Sequence, residues 1–119
     1  MADEIKVTTG MSCLNGNLNI TVPSKTISVD QATAGGGNPA TVSIGTSEET
    51  ISFGDITARY VFIQNIDTAN FVQLGFSTGV YGIKLLAGET ALFPLLTTAT
   101  IYAKADTASA TMQVIGLSE

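Results

Sequence analysis

Residues 100–117 read TIYAKADTASATMQVIGL, and the pattern of this stretch decides the fold. Apolar and polar residues alternate on both sides of an Asp-Thr-Ala turn, with Ile101, Ala103, Met112 and Val114 at the apolar positions. A period of two is typical of a strand with one face buried and one face in water. The stretch therefore predicts two half-buried strands, 100–105 and 110–117, separated by a turn.

The same features extend outward from this stretch over the whole chain of 119 residues. β-Branched residues are abundant, and no segment has the Ala/Glu/Lys/Leu character of a long helix. Short strands at even spacing, separated by turn signals such as Asn15-Gly16 and Ala87-Gly88-Glu89, indicate a sandwich or barrel rather than a βαβ fold. The fold class that we expect is all-β, a jelly-roll-like antiparallel β-sandwich. The predicted strands are 5–9, 18–22, 26–29, 41–44, 50–53, 60–65, 71–76, 83–86, 90–95, 100–105 and 110–117.

A glycine-rich stretch divides the chain. Residues 32–40 contain three consecutive glycines followed by Asn-Pro, which favours a loop and lacks the Gly-Lys-Ser/Thr of a phosphate-binding loop. All five phenylalanines and all three tyrosines follow it, so residues 41–119 are predicted to hold the sandwich core. Residues 1–31 are either outer strands of that sandwich or an extended arm that orders against a neighbouring molecule. We expect a single domain overall.

Composition excludes several classes of function. The chain has no histidine, so it lacks the commonest general base and any imidazole metal ligand. Its single cysteine, Cys13, follows Ser12 with no evident base to activate either, and we expect a free thiol, no catalysis and no cofactor. Five cations stand against ten carboxylates, a formal charge of −5, which opposes binding to nucleic acid or to an anionic membrane. The acidic start Met-Ala-Asp-Glu has no secretory-signal character, so we expect synthesis in the cytoplasm.

Two groups of polar residues are candidate sites. Asp67 and Asn70, with Asn65 before them, are spaced loosely like calcium ligands, but ordinary turn capping explains the same residues. Glu48 and Glu49 are adjacent carboxylates whose side chains point to opposite faces of a strand, which is typical of a solvated edge. Neither group is predicted to bind a metal.

One apolar run leaves two interpretations open. Tyr60-Val61-Phe62-Ile63 has no polar face, so either the strand lies centrally in its sheet or one of its faces meets another subunit. Phe62 distinguishes the two interpretations. It lies in the core if the strand is covered on both faces, and at an interface if one face meets another subunit.

Three motifs resemble segments of small structural proteins from tailed bacteriophage virions. They are N-x-D-x-x-N-[FY]-V-x-[LVF]-G at 65–75, L-x-A-G-E at 85–89 and [IL]-Y-A-K-A at 101–105. The resemblance covers the C-terminal two-thirds of the chain and implies a capsid decoration (cement) protein, made in the host cytoplasm and located on the outside of the shell. It further implies the major capsid protein as partner and a homo-oligomer, a trimer or dimer, that stabilises the shell by bridging capsomers.

Two other roles remain open. One is a tail, fibre or baseplate subunit with a receptor- or carbohydrate-binding role, which an exposed aromatic cluster around Tyr81 and Tyr102 would favour. The other is a non-viral β-sandwich binding module. The residues that contact a partner are not predicted.

Overall fold

The computed structural model describes residues 4–32 and 34–119, and these residues form antiparallel strands and no helix. Within them, no helix is long and apolar enough to cross a membrane. The chain divides into two compact units, one that ends at Ala34 and one that spans Gly35–Ser118. The strands are β1 Ile5–Asn15, β2 Leu18–Val29, β3 Gly36–Ile44, β4 Glu49–Thr50, β5 Tyr60–Asn65, β6 Val72–Gly75, β7 Ile83–Leu85, β8 Thr90–Pro94, β9 Tyr102–Ala105 and β10 Ala110–Leu117.

The N-terminal unit is a two-stranded hairpin. β1 and β2 pair antiparallel from Ile5 opposite Val29 to Asn15 opposite Leu18. Gly16 occupies the tight turn between them with φ of 57°, a left-handed conformation that glycine adopts at little cost. The turn predicted at Asn15-Gly16 is therefore confirmed.

The second unit is a sandwich of two four-stranded sheets. One sheet has the order β3-β10-β5-β8 and the other β4-β9-β6-β7. Successive strands alternate between the two sheets except at the β6–β7 connection, and all pairs are antiparallel. Eight strands connected in this way form a jelly roll. The predicted fold class, an all-β antiparallel sandwich, is confirmed.

Alternation along the strands builds the core between the sheets. In β10, every second residue from Ala110 onward is buried and the residues between are half-buried. The core comprises buried side chains from both sheets: Ile44, Ile51, Ala58, Val61, Ile63, Val72, Leu74, Leu85, Leu95, Ile101, Ala103, Ala105, Ala110, Met112 and Val114. The period of two that predicted the strands is the period that fills the core.

β5 has a central position in its sheet, between β10 and β8. Val61 and Ile63 are fully buried on its inner face, whereas Phe62 is half-buried on its outer face, opposite Leu92 and Ile115. β5 is therefore central within its sheet, but only its inner face is covered, and contact of its outer face with another subunit stays a prediction. Phe62 itself lies outside the core.

Apart from shifts of one or two residues, the strands differ from their predicted bounds at four places. β1 extends to Asn15, six residues beyond its predicted end at residue 9. β3 begins at Gly36, inside the stretch predicted as a loop over 32–40, because the backbone there pairs with the end of β10. The strands predicted at 18–22 and 26–29 form the single strand β2, which passes Pro23 through a bulge. β4 covers only Glu49–Thr50, and Ile51 and Phe53 continue beyond it as core-packing residues of a loop.

Candidate functional site

The hairpin has two chemically distinct faces. Residues directly opposite each other in an antiparallel pair point to the same side. The pairing therefore gathers the following residues into what we call the apolar face: Ile5, Val7, Met11, Cys13, Leu18, Ile20, Val22, Ile27 and Val29. Thr9, Asn15 and Lys25 are the polar residues on the same side. The opposite side, the polar face, carries Lys6, Thr8, Ser12, Asn19, Thr21, Thr26 and Ser28, with Leu14 as its exception.

A bulge places the apolar residues from both halves of the hairpin on the same side. The residues of β1 that contribute to it are all odd-numbered, but those of β2 change from even to odd between Val22 and Ile27. One residue, Gly10, separates Thr9 from Met11 in β1, whereas two residues, Pro23 and Ser24, separate their partners in β2. Because of this extra residue, the side chains of β2 on either side of the bulge point to the same face of the hairpin. Proline suits the position because a bulged residue need not donate a ladder hydrogen bond.

The strand opposite the bulge has a residue without a side chain. A Cβ atom placed on Gly10 would lie 3.0 Å from Oγ and 3.1 Å from Cα of Ser24. Such contacts are tighter than side chains normally make, so Gly10 allows the bulged strand to approach closely.

Side-chain hydrogen bonds order the polar face. Thr8 and Thr26 hydroxyl oxygens are 2.7 Å apart, and Lys6 Nζ donates to Ser28 Oγ at 3.2 Å. At the open end of the hairpin, the Gln31 amide donates to the Glu4 carboxylate at 2.9 Å. These bonds join the two strands at the end of the hairpin away from the Asn15-Gly16 turn.

The apolar face is exposed over its distal half. The exposed fractions are 68% for Met11, 49% for Ile20 and 50% for Val22, and Cys13 and Leu18 are exposed as well. No charged residue occurs between Val7 and Ser24. An exposed, uncharged apolar surface of this kind is typical of an interaction site. We take it as the candidate functional site.

Ser12 and Cys13, weighed as nucleophiles, lie on opposite faces of the hairpin. Cys13 is an exposed free thiol. Within residues 4–32 and 34–119, no group of His, Cys, Asp and Glu side chains is arranged to hold a metal ion.

The residues weighed as calcium ligands build a turn. Asp67 accepts hydrogen bonds from the backbone amides of Ala69 at 3.1 Å and Asn70 at 2.8 Å, and these bonds hold the pKa of its carboxyl below its usual value. Asn65 is fully buried and its Oδ1 accepts from the Asp67 amide at 3.0 Å. Turn capping, the simpler interpretation of these residues, is confirmed.

Asn65 also joins two of the motifs that carry the virion resemblance. Its Nδ2 donates to the Asn70 carbonyl at 2.8 Å and, across to the second motif, to the Leu85 carbonyl at 2.9 Å. Its carbonyl accepts from the Gly88 amide at 2.7 Å, and Gly88 has φ of 87°. These motif residues therefore position the β5–β6 and β7–β8 connections, so the resemblance rests on scaffold residues rather than on a binding surface.

The two adjacent glutamates lie at the edge of their sheet, as predicted, and each has hydrogen-bond partners of its own. Glu49 accepts from the Gly45 amide at 2.5 Å and closes the turn after β3. Glu48 Oε1 accepts from the Tyr81 hydroxyl at 2.5 Å and from the Gly79 amide at 2.7 Å. The hydrogen bond from Tyr81, with that from Gly79, lowers the pKa of Glu48, and the same bond raises the pKa of Tyr81 to about 12. As predicted, the two carboxylates do not share one site.

The tyrosines proposed as a sugar-binding cluster are not freely exposed. Tyr81 and Tyr102 are both half-buried, and the Tyr81 hydroxyl donates a hydrogen bond to Glu48.

Sequence reasoning missed a different apolar feature of the sandwich, a hollow of about 290 Å³. Its lining residues are Phe76, Pro94, Leu95, Leu96 and Ala99.

Sequence reasoning also left the hairpin's face unidentified, although its signal is present in the sequence. Alternation runs through residues 5–13 on odd positions and through 18–22 on even ones. Because the alternation shifts by one residue at Pro23, the sequence alone does not show that both runs belong to one surface.

Comparison of the chain with known protein families, with curated proteins and with solved structures finds no match.

Proposed function

We propose that this chain is a virion structural protein that binds the outside of a tailed-phage capsid and stabilises the shell by bridging capsomers. Two kinds of support lead to this proposal. The three motifs at 65–75, 85–89 and 101–105 resemble virion proteins, and the hairpin exposes an uncharged apolar face. The hairpin is the single observation that carries the proposal. A domain that works alone has no use for an exposed row of apolar side chains, whereas a subunit of an assembly can bury it.

The physical argument begins with the stability of a hairpin. A two-stranded sheet by itself is marginally stable in water, since it has no second layer to cover its apolar side. β1 and β2 have eleven and twelve residues, longer than the usual strand, and most of their side chains are exposed. Natural edge strands are normally protected by charges, yet the distal part of this hairpin has none. Burial against other subunits in an assembly supplies the missing cover.

The sandwich fits the same role. Its core is formed by its own residues. Its turns are fixed by hydrogen bonds that the Asn65 side chain donates and that the Asp67 and Glu49 carboxylates accept. A rigid unit of this kind transmits load between two shell subunits without changing shape. The role needs no catalytic group, and we propose a non-enzymatic protein.

Copy number tests the proposal. Quantitative mass spectrometry of purified virions, with the major capsid protein as internal reference, is expected to give hundreds of copies of this chain. A count of a few to tens would instead assign it to the tail, a vertex or a fibre. Absence from the virion would contradict both assignments.

Deletion of residues 2–23 tests the part played by the hairpin. The deletion removes β1 and half of β2, and we expect loss of binding to shells that lack the protein. The sandwich should stay folded, because the residues that form its core or pack against it begin at Val42. A deleted protein that still saturates shells would show that the hairpin does not anchor it.

A further inference from the structure

We infer that the free edge of β8 binds an extended segment of a partner protein, which adds a fifth strand to the sheet β3-β10-β5-β8. The inference rests on the proposed function in one respect, because a protein that bridges two shell subunits needs a second contact besides the hairpin. The edge of β8 supplies a contact of a different chemical kind. It offers backbone hydrogen-bonding groups rather than a row of apolar side chains.

Residues of β8 alternate between those that bond to β5 and those that face away from it. The Glu89 carbonyl accepts from the Asn65 amide at 3.0 Å, and the Leu95 amide donates to the Arg59 carbonyl at 2.6 Å. Hydrogen-bonded and non-hydrogen-bonded pairs alternate along an antiparallel ladder. The odd-numbered residues of 89–95 therefore bond to β5, and the even-numbered ones do not.

The amides and carbonyls of Thr90 and Leu92 consequently point away from the sheet. β8 is the last strand of its sheet, and no other strand in the described part of the chain pairs with this side of it. Both side chains are exposed, Leu92 to 37%. Pro94 is in the same phase, where the amide proton that proline lacks is not needed. Two residues thus present two donors and two acceptors to solvent in the geometry of a strand.

β8 is also the least protected of the four edge strands. Sheet edges attract further strands, and natural proteins protect them with charges, with proline or by short length. β3 contains Pro39, β4 has only two residues, and β7 has three and carries Lys84. β8 has five residues, and no charge occurs over residues 90–103. An uncharged edge of this length is a template for another strand, and Pro94 blocks only its last residue.

The spacing of the free groups selects a polypeptide as the ligand. Donors and acceptors that repeat at every second residue of a strand match the backbone of another strand, and match neither a sugar nor a lipid headgroup. In an antiparallel pairing, Thr90 and Leu92 would each exchange two hydrogen bonds with one residue of the partner. The partner's side chains at these two positions would lie on the outer face of the sheet and cover the exposed Leu92.

A groove beside β8 provides room for the partner's other side chains. It has a volume of about 560 Å³ and is lined by residues of β7, of β8 and of the turn between them, with Ile83 and Ala91 among the apolar ones. Side chains of a strand alternate between its two faces, so the partner residue between the two paired ones would point toward this groove. Lys84 and Glu89 also line it, and their opposite charges balance. These features favour an uncharged segment with apolar or β-branched residues at alternate positions.

The experiment follows hydrogen exchange at the backbone amides of the isotopically labelled full-length chain. The probe is the acetylated and amidated peptide Thr-Val-Thr-Val-Thr, and the control is the same peptide with every amide N-methylated, so that it cannot donate. In the free chain we expect slow exchange at Ala91 and Phe93 and fast exchange at Thr90 and Leu92. The probe should slow exchange at Thr90 and Leu92 about tenfold, the effect of one backbone hydrogen bond, and the control should not.

Two variants at one position isolate the contribution of the backbone. Leu92→Pro removes the outward amide proton, whereas Leu92→Thr removes the apolar side chain and keeps that proton. The ladder with β5 does not use the amide of Leu92, so both variants should fold. Thr90→Pro repeats the test if Leu92→Pro is unstable, because proline is tolerated at the first residue of a strand. We expect the outward amide that remains to lose its protection by the probe in each proline variant and to keep it in Leu92→Thr.

Absence of protection at Thr90 and Leu92, or equal protection in Leu92→Pro and Leu92→Thr, would overturn the inference. Slow exchange of the two amides in the free chain that becomes fast on dilution would also overturn it, because a second copy would then occupy the edge. Two outcomes separate the inference from the proposed function. Protection by the probe without binding of the chain to shells would support the inference and contradict the capsid role. Binding to shells that persists in Leu92→Pro, with no protection by the probe, would do the reverse.

Discussion

Substitution of Asn65 by alanine should destabilise the sandwich much more than substitution of its neighbour Gln64. The Asn65 side chain is fully buried, donates two hydrogen bonds and accepts one. Its removal leaves the carbonyls of Asn70 and Leu85 and the amide of Asp67 without these partners. Each buried polar group left unsatisfied costs about 1–3 kcal/mol.

The cost is smaller near Asn70, because that part of the network is only partly buried and water can reach it. The bond to Leu85 is fully buried, so its loss has the full effect. We therefore expect Asn65→Ala to lower the free energy of unfolding by about 3–5 kcal/mol. For a domain of this size, a loss of 3 kcal/mol corresponds to a fall in Tm of about 12–24 °C.

Urea unfolding followed by tyrosine fluorescence measures this change. The chain has no tryptophan, and its three tyrosines all lie in the sandwich, so the signal reports on that unit. Gln64→Ala is the matched control, because Gln64 precedes Asn65 in β5 and is half-buried on the outer face. We expect the control to lose less than about 1 kcal/mol. A loss below about 1 kcal/mol for Asn65→Ala would refute the assignment of Asn65 as the anchor of both turns.

Gly75→Ala should prevent the sandwich from folding normally, because a Cβ atom there would clash with the backbone carbonyl of Val80, and a soluble variant with unchanged Tm would contradict this. The pair of Glu48 and Tyr81 should stabilise the fold between two limits of pH. The lowered pKa of Glu48 gives stability that is present above its ordinary pKa of 4.5 and is lost as the pH falls through the lower folded value. The raised pKa of Tyr81 gives stability that is lost between pH 10 and about 12, so Tyr81→Phe should flatten both limbs of a plot of Tm against pH. Phe62→Ala should cost about 1–2 kcal/mol rather than the 3–5 kcal/mol of a core phenylalanine, because Phe62 is half-buried; a larger loss in urea unfolding would place it in the core.

The sandwich was predictable from sequence because its information is local. Alternation in 101–105 and 110–117 predicted which residues enter the core, and the strands at 60–65 and 110–117 have the predicted bounds. Gly16 and Gly88 adopt the positive φ that their turns require. In each case a short window of sequence contains both the signal and its physical cause.

Features that depend on distant partners were not predictable in this way. Glu48 is bonded to a residue 33 positions later, and nothing near Glu48 in the sequence indicates that partner. Gly36 belongs to a strand because the end of β10 pairs with it, although its own strand preference is weak. Such roles are set by topology, and the sequence shows them only after the strand order is known.

The hairpin combines local and distant signals. Its alternation is visible in the sequence, but the bulge that places its apolar residues on one side depends on the pairing of the two strands. Without the extra residue at Pro23 and Ser24, the apolar residues of 18–22 and those at Ile27 and Val29 would point to opposite sides of the hairpin. The bulge, with Gly10 opposite it, places them all on one side, although much of that side is exposed in the single chain. A hairpin that stayed in water would gain nothing from a continuous apolar face and would be more soluble without it. The phase correction is therefore understandable as a device for a surface that becomes buried in an assembly, which the deletion of residues 2–23 tests.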